Sequence, residues 1–169
     1  GEGDFAIGDD GLTGATDGRI WLRSRGTTFR FNSDGNTADY SEFFYKLATD
    51  TPETGTVMMA DNSTSSPAVG TGLAKVAISS SSYSSLLLGV ATDRGTGYNN
   101  ADDTRQFSPN FVNIGLLGHV PIKITTENGP VKTGDYLTAS AEFPGFAMKA
   151  TRSGYVVGVA LEDFDGTAT

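Results

Sequence analysis

Residues 118–163 read GHVPIKITTENGPVKTGDYLTASAEFPGFAMKATRSGYVVGVALED, and short apolar runs in this stretch alternate with turn residues at nearly every break. In VPIKIT, Val120, Ile122 and Ile124 fall two apart and share one face, while Lys123 and Thr125 take the other, the pattern of a strand. The breaks are Asn128-Gly129-Pro130, Gly134-Asp135 and Pro144-Gly145, each supplying φ > 0 or a fixed φ. The stretch therefore predicts a compact antiparallel β unit, and it contains no catalytic motif.

Working outward, RIWLRSRGTTFRFNSDGN predicts a hairpin bent at Gly26, with Ile20 and Leu22 on one face of the first strand and Phe29 and Phe31 on one face of the second. Arg19, Arg23, Arg25 and Arg30 lie opposite or beside them as the wet face of a sheet, with an acidic groove on a neighbouring subunit as the alternative. ADYSEFFYKLA, 38–48, is the one helix candidate, with Tyr40, Phe43, Phe44 and Leu47 at spacings of three and four and Asp39 or Ser41 as cap; its FFY suits a strand equally well. TGTVMMAD, VGTGLAKVAIS and SSYSSLLLGVATD read as three further strands, and FVNIGLLGHVPIKIT resumes the sheet after a long polar excursion.

Composition bounds the function. Twenty-two glycines, many Ser and Thr and only 19% charged residues fit an all-β chain: an antiparallel β-sandwich or barrel with an N-terminal extended strand and hairpin. At 169 residues one domain is expected, 19–169, preceded by an extended segment, 1–18. A net charge of −8 repels phosphate backbones and argues against nucleic acid, and no apolar run approaches a membrane span. Opening at Gly1 rather than Met points to processing or a fragment.

Catalytic constellations are sparse. His119 is the single histidine and has no nucleophile elbow around it; with no cysteine, zinc and copper sites are excluded, and no enzyme activity is expected. Asn32, Asp34, Asn36 and Asp39 place oxygen donors about Gly35 as in the first half of a calcium loop, so calcium is the one metal considered, although Phe43 stands where the closing glutamate belongs and a hairpin turn uses the same residues. Asn128-Gly129 is labile, because an unhindered glycine nitrogen attacks the asparagine amide, and it is also a good turn. Among 17 aromatic residues (ten Phe, six Tyr, one Trp), Trp21 is the candidate glycan platform, with core packing as its plainer fate.

GHVPIKITTENGPVKTGDYLT, PGFAMKA and YVVGVALEDFDG, together with ADYSEFF and LLGVA, resemble a β domain of large bacterial surface proteins and of phage tail or neck-appendage proteins, over roughly 36–166. In phage appendages that domain precedes an intramolecular chaperone and is associated with autoproteolytic release. The resemblance implies an extracellular, cell-surface or virion structural subunit that assembles with copies of itself into a filament, tubule or fibre, with a carbohydrate-binding or adhesin module as the alternative and autoproteolysis third. It also implies a strand after ALEDFDG, where only Thr167, Ala168 and Thr169 follow, so Tyr155 to Leu161 is expected to lack a sheet neighbour. Asp4, Phe5, Ala6, Ile7 and Gly8 have the length and alternation to supply it from another copy, as in donor-strand complementation.

Overall fold

The computed structural model describes residues 20–24, 27–31, 39–46, 49–61, 74–93, 95–98 and 108–167; for 20–24, 27–31, 39 and 95–98 the description is of the backbone. These residues form an all-β fold of eleven strands without a helix. β1 (Ile20–Ser24) and β2 (Thr27–Phe31) pair as the expected antiparallel hairpin. Its register sets Ile20 opposite Phe31 and Leu22 opposite Phe29, so the four apolar residues share one face.

The larger sheet has six strands. β3 (Asp39–Tyr45), β4 (Val57–Ala60), β5 (Val76–Ile78), β6 (Leu87–Ala91), β7 (Gly95–Tyr98) and β8 (Phe111–Leu117) lie in the order β5-β4-β6-β8-β3-β7, all antiparallel except β3 with β7. A parallel bridge from Tyr45 to Lys75 joins the end of β3 to the residue before β5. The helix reading of 38–48 is thereby corrected. Ser41 and Phe43 are buried while Tyr40 is exposed, a period of two, because β8 offers a complete partner running from Phe111 to Leu117. Aromatic side chains on a pleated, half-buried surface outweigh a helical spacing that nothing else supports.

The smaller sheet has three strands, β9 (Tyr136–Ala139), β10 (Ala147–Lys149) and β11 (Gly158–Val159), with β9 in the middle. The turns expected in this region are present: Gly129, Gly134 and Gly145 have φ of 89°, 92° and 80°. The strand expected at VPIKIT is not. Residues 120–125 cross in extended form and touch β10 through one isolated bridge, Ile124 with Ala147, because the Lys123 N–H is taken by the Gly55 carbonyl instead of a ladder. Their apolar side chains still turn inward: Ile122 and Ile124 pack on a core of Val57, Val131, Leu137, Ala139, Ala147 and Ala160 that joins the two sheets. Met58, Val76, Ala91 and Ile114 form a second core on the other face of the large sheet. Complete burial of Met58 and Ile114 contributes about 1.5–3 kcal/mol each.

Candidate functional site

The edges of the small sheet differ. Beside β10, the Thr125 N–H donates to the Ala147 carbonyl and the Ala147 N–H to the Lys123 carbonyl, both at 2.8 Å, so that edge is closed by the crossing segment. β11 is held from one side only: Gly158 and Val159 pair with Leu137 and Tyr136 of β9, and the Val157 and Ala160 N–H groups donate to Leu137 and Asp135. Among the described residues no strand lies beyond β11. The run Tyr155 to Leu161 thus has β9 as an inner neighbour, which corrects the expectation that it has none; its outer side is the open one.

A groove of about 690 Å³ runs alongside β11, reaching Leu137 of β9 as well. Val157 to Phe164 make one wall, Leu117 to Ile122 the other, and Leu88, Gly89, Val90 and Gly115 the floor. Its rim is apolar and wet, with Leu117, Leu161 and Val159 exposed at 75%, 61% and 46%. Two glycines lie packed in the floor, Gly115 facing Val120 and Gly89 facing the second core. A Cβ on Gly89 would stand 2.4 Å from the Gly115 carbonyl oxygen, and one on Gly115 would stand 2.8 Å from Val120 Cγ2. Neither position has room for a methyl group while its neighbours hold their places.

The far end of the β11 wall is fixed by polar contacts. Asp163 accepts from the Thr133 N–H at 2.8 Å, from Lys132 Nζ at 2.9 Å and from the Thr133 hydroxyl at 3.1 Å. The Thr133 N–H above all, then the ammonium and the hydroxyl, lower its pKa to about 2. Val131 and Phe164 exchange N–H···O bonds beside it, at 2.8 and 2.9 Å, so the wall holds its direction after β11 ends.

What lines the groove decides what fits it. Its walls are aliphatic, with the half-buried Phe164 as the single aromatic ring and His119 as the single imidazole, so it suits alternating apolar side chains of an extended peptide better than the flat face of a sugar. No hydroxyl nucleophile or second titrating base stands beside His119 among its lining residues, whose acids are Glu162 and the pinned Asp163.

The other expected positions fall largely outside the described residues. Asp4, Phe5, Ala6, Ile7 and Gly8, and likewise Asn32, Asp34 and Asn36, lie outside the described residues; Asp39 opens β3, and its side chain, like that of Trp21, lies outside them too. No group of three or more metal-ligating side chains occurs among the described residues. Asn128 and Gly129 form the turn, with the geometry of attack occupied: Asn128 Nδ2 donates to the Lys149 carbonyl at 2.9 Å, and the Gly129 N–H, on the nitrogen that would attack, donates to the Thr126 carbonyl at 2.7 Å. The groove itself escaped the sequence reading because its walls are about 40 residues apart and meet only in the fold; its one local signal was the pair of glycines inside strand-like runs, Gly89 and Gly115. No family model, curated protein or solved structure matches the chain.

Proposed function

We propose that the chain is an extracellular structural subunit that polymerises by strand addition, the segment Asp4 to Gly8 of one copy lying along the outer edge of β11 in the next. The open β11 edge beside an aliphatic groove is the observation that carries this reading. The dimensions allow it: five extended residues span about 17 Å, and the facing wall, Val157 to Phe164, is eight residues long. Phe5 and Ile7 alternate with smaller residues, as a strand with one apolar face requires. About four to six new backbone hydrogen bonds at roughly 1 kcal/mol each, with about 1.5–3 kcal/mol for each of Phe5 and Ile7, suffice to drive assembly when repeated at every subunit.

Deletion of residues 1–10 tests it, read by light scattering on a sizing column and by electron microscopy. The full chain is expected to form polymers and the truncated chain to remain a folded monomer, with Phe5→Asp weakening assembly similarly. Polymers of the truncated chain equal to those of the full one would refute strand exchange. So would a full chain that stays monomeric and loses only thermal stability on truncation, since the segment would then lie on its own subunit.

A further inference from the structure

Away from the groove, the outer face of the small sheet carries a backbone outlier. Tyr83 has φ 55°, the only positive φ of a non-glycine residue among those described, and such a conformation persists where surrounding contacts over-determine it. Here four do. The Tyr83 N–H donates to Thr138 Oγ1 at 3.1 Å, and the Thr138 hydroxyl donates onward to the Tyr155 carbonyl at 2.9 Å. The Thr151 N–H donates to the Tyr83 hydroxyl at 2.9 Å. Gly154 leaves space for the ring, since a Cβ there would meet Tyr83 Cδ1 at 2.6 Å. The Arg152 guanidinium lies over the ring, 4.1 Å from its centroid.

Arg152 also differs in charge pairing from the other described cations. Lys75, Lys123, Lys132 and Lys149 hold Asp61, Glu53, Asp163 and Asp135 at 2.8, 2.7, 2.9 and 2.8 Å, and Lys46 donates to the Asp50 carbonyl at 2.6 Å. Arg152 is exposed, lies on a ring and enters no ion pair among the described residues, in a chain with 20 acids against 12 bases. A guanidinium held over a ring by its central carbon, with no carboxylate on it, keeps N–H donors for a bidentate acceptor. Two exposed rings stand on adjoining backbone: Tyr155, three residues on and 58% exposed, and Tyr136, 61% exposed, whose carbonyl accepts from the Ala150 N–H at 2.8 Å.

We infer that the surface formed by Arg152, Tyr83, Tyr155 and Tyr136 binds a carboxylated sugar, a sialic or uronic acid residue of a glycan. The carboxylate takes the guanidinium edge, and the C–H face of the pyranose lies on an exposed tyrosine ring. A single carboxylate on an otherwise neutral glycan suits this surface, because a chain of net charge −8 repels a polyanion such as nucleic acid or heparin. The site shares no residue with the lining of the β11 groove.

The test uses the full chain with sialyllactose and with oligogalacturonate, against lactose and acetate, by saturation-transfer NMR and titration calorimetry. Either acidic glycan is expected to bind, and Arg152→Gln to weaken it about tenfold or more, with Arg152→Lys intermediate because it keeps the charge and loses the fork. Tyr155→Ala, at an exposed ring, is expected to weaken binding with an unchanged melting temperature. No binding of either acidic glycan at millimolar concentration overturns the inference. So does equal binding of lactose, equal binding of acetate, or unaltered affinity in both Arg152→Gln and Tyr155→Ala.

Discussion

At Gly89 a methyl group would press on the carbonyl oxygen of Gly115, a backbone atom of the neighbouring strand that moves only if the β6 and β8 pair opens. At Gly145 two causes act together: φ is 80°, and a Cβ would stand 2.8 Å from Thr56 Cγ2. Gly145 is also a tie between sheets, since its N–H donates to the Ser79 carbonyl and its carbonyl accepts from the Val57 N–H, both at 2.8 Å. Gly89→Ala is expected to cost about 3 kcal/mol or more in urea unfolding, and Gly145→Ala about 1–3 kcal/mol; a loss under about 0.5 kcal/mol at Gly89 would mean that the strands part readily. The turn role of Gly145 was legible in the sequence, because Pro-Gly between apolar runs is a local signal. The tightness at Gly89 was not, since the atom it would strike lies 26 residues further along the chain.

Among the elements, β11 is the shortest, and its direction depends on the clamp at Asp163 beyond it. The folded pKa of Asp163, about 2, lies below its ordinary value near 3.9. The unfolded chain therefore binds more protons between these values, and the stability Asp163 contributes is present above about pH 4 and lost as pH falls toward 2. Asp135 and Asp165, also lowered by hydrogen bonds from Lys149 and Thr167, act in the same direction. The melting temperature by circular dichroism is expected to fall between pH 4 and pH 2, and Asp163→Asn to flatten that limb while lowering the plateau above it. An unchanged acid limb in the variant would show that the clamp does not couple to folding. Element types were read well where a strand carried its own alternation and turn, as in the hairpin of β1 and β2. They were left open between helix and strand at 38–48 and misread at VPIKIT, where the partner strand, or the absence of a free one, decides.

For the whole molecule, the two edges of the small sheet differ in exposure to further pairing. The crossing segment occupies the rim of β10, whereas β11, alongside the groove, leaves one side open. If assembly uses that side, Val159→Lys should reduce polymer mass in light scattering without shifting the melting temperature, because Val159 is exposed and a charge at an edge opposes strand addition. A variant that assembles like the parent would move the interface elsewhere on the surface. The fold class followed from composition and turn spacing, while the groove, signalled locally only by the glycines in strand-like runs, and the Arg152 surface arise from contacts between distant segments.

The glycine pair beneath the groove also bears on how such a chain can diverge. Its floor has no side chain at Gly115, where a Cβ would meet Val120 Cγ2 at 2.8 Å, while a larger residue at Gly89, on the opposite face of the sheet, strikes backbone. A substitution that would fill the cleft from below must therefore come at Gly115, and it has to displace Val120 before any effect on binding counts. Leu117, Val159 and Leu161 at the rim are under no such restraint. If subunits join through this cleft, descendants of this sequence would retain it while its occupant changed, and lineages would stop recognising one another's subunits by drift at three exposed positions.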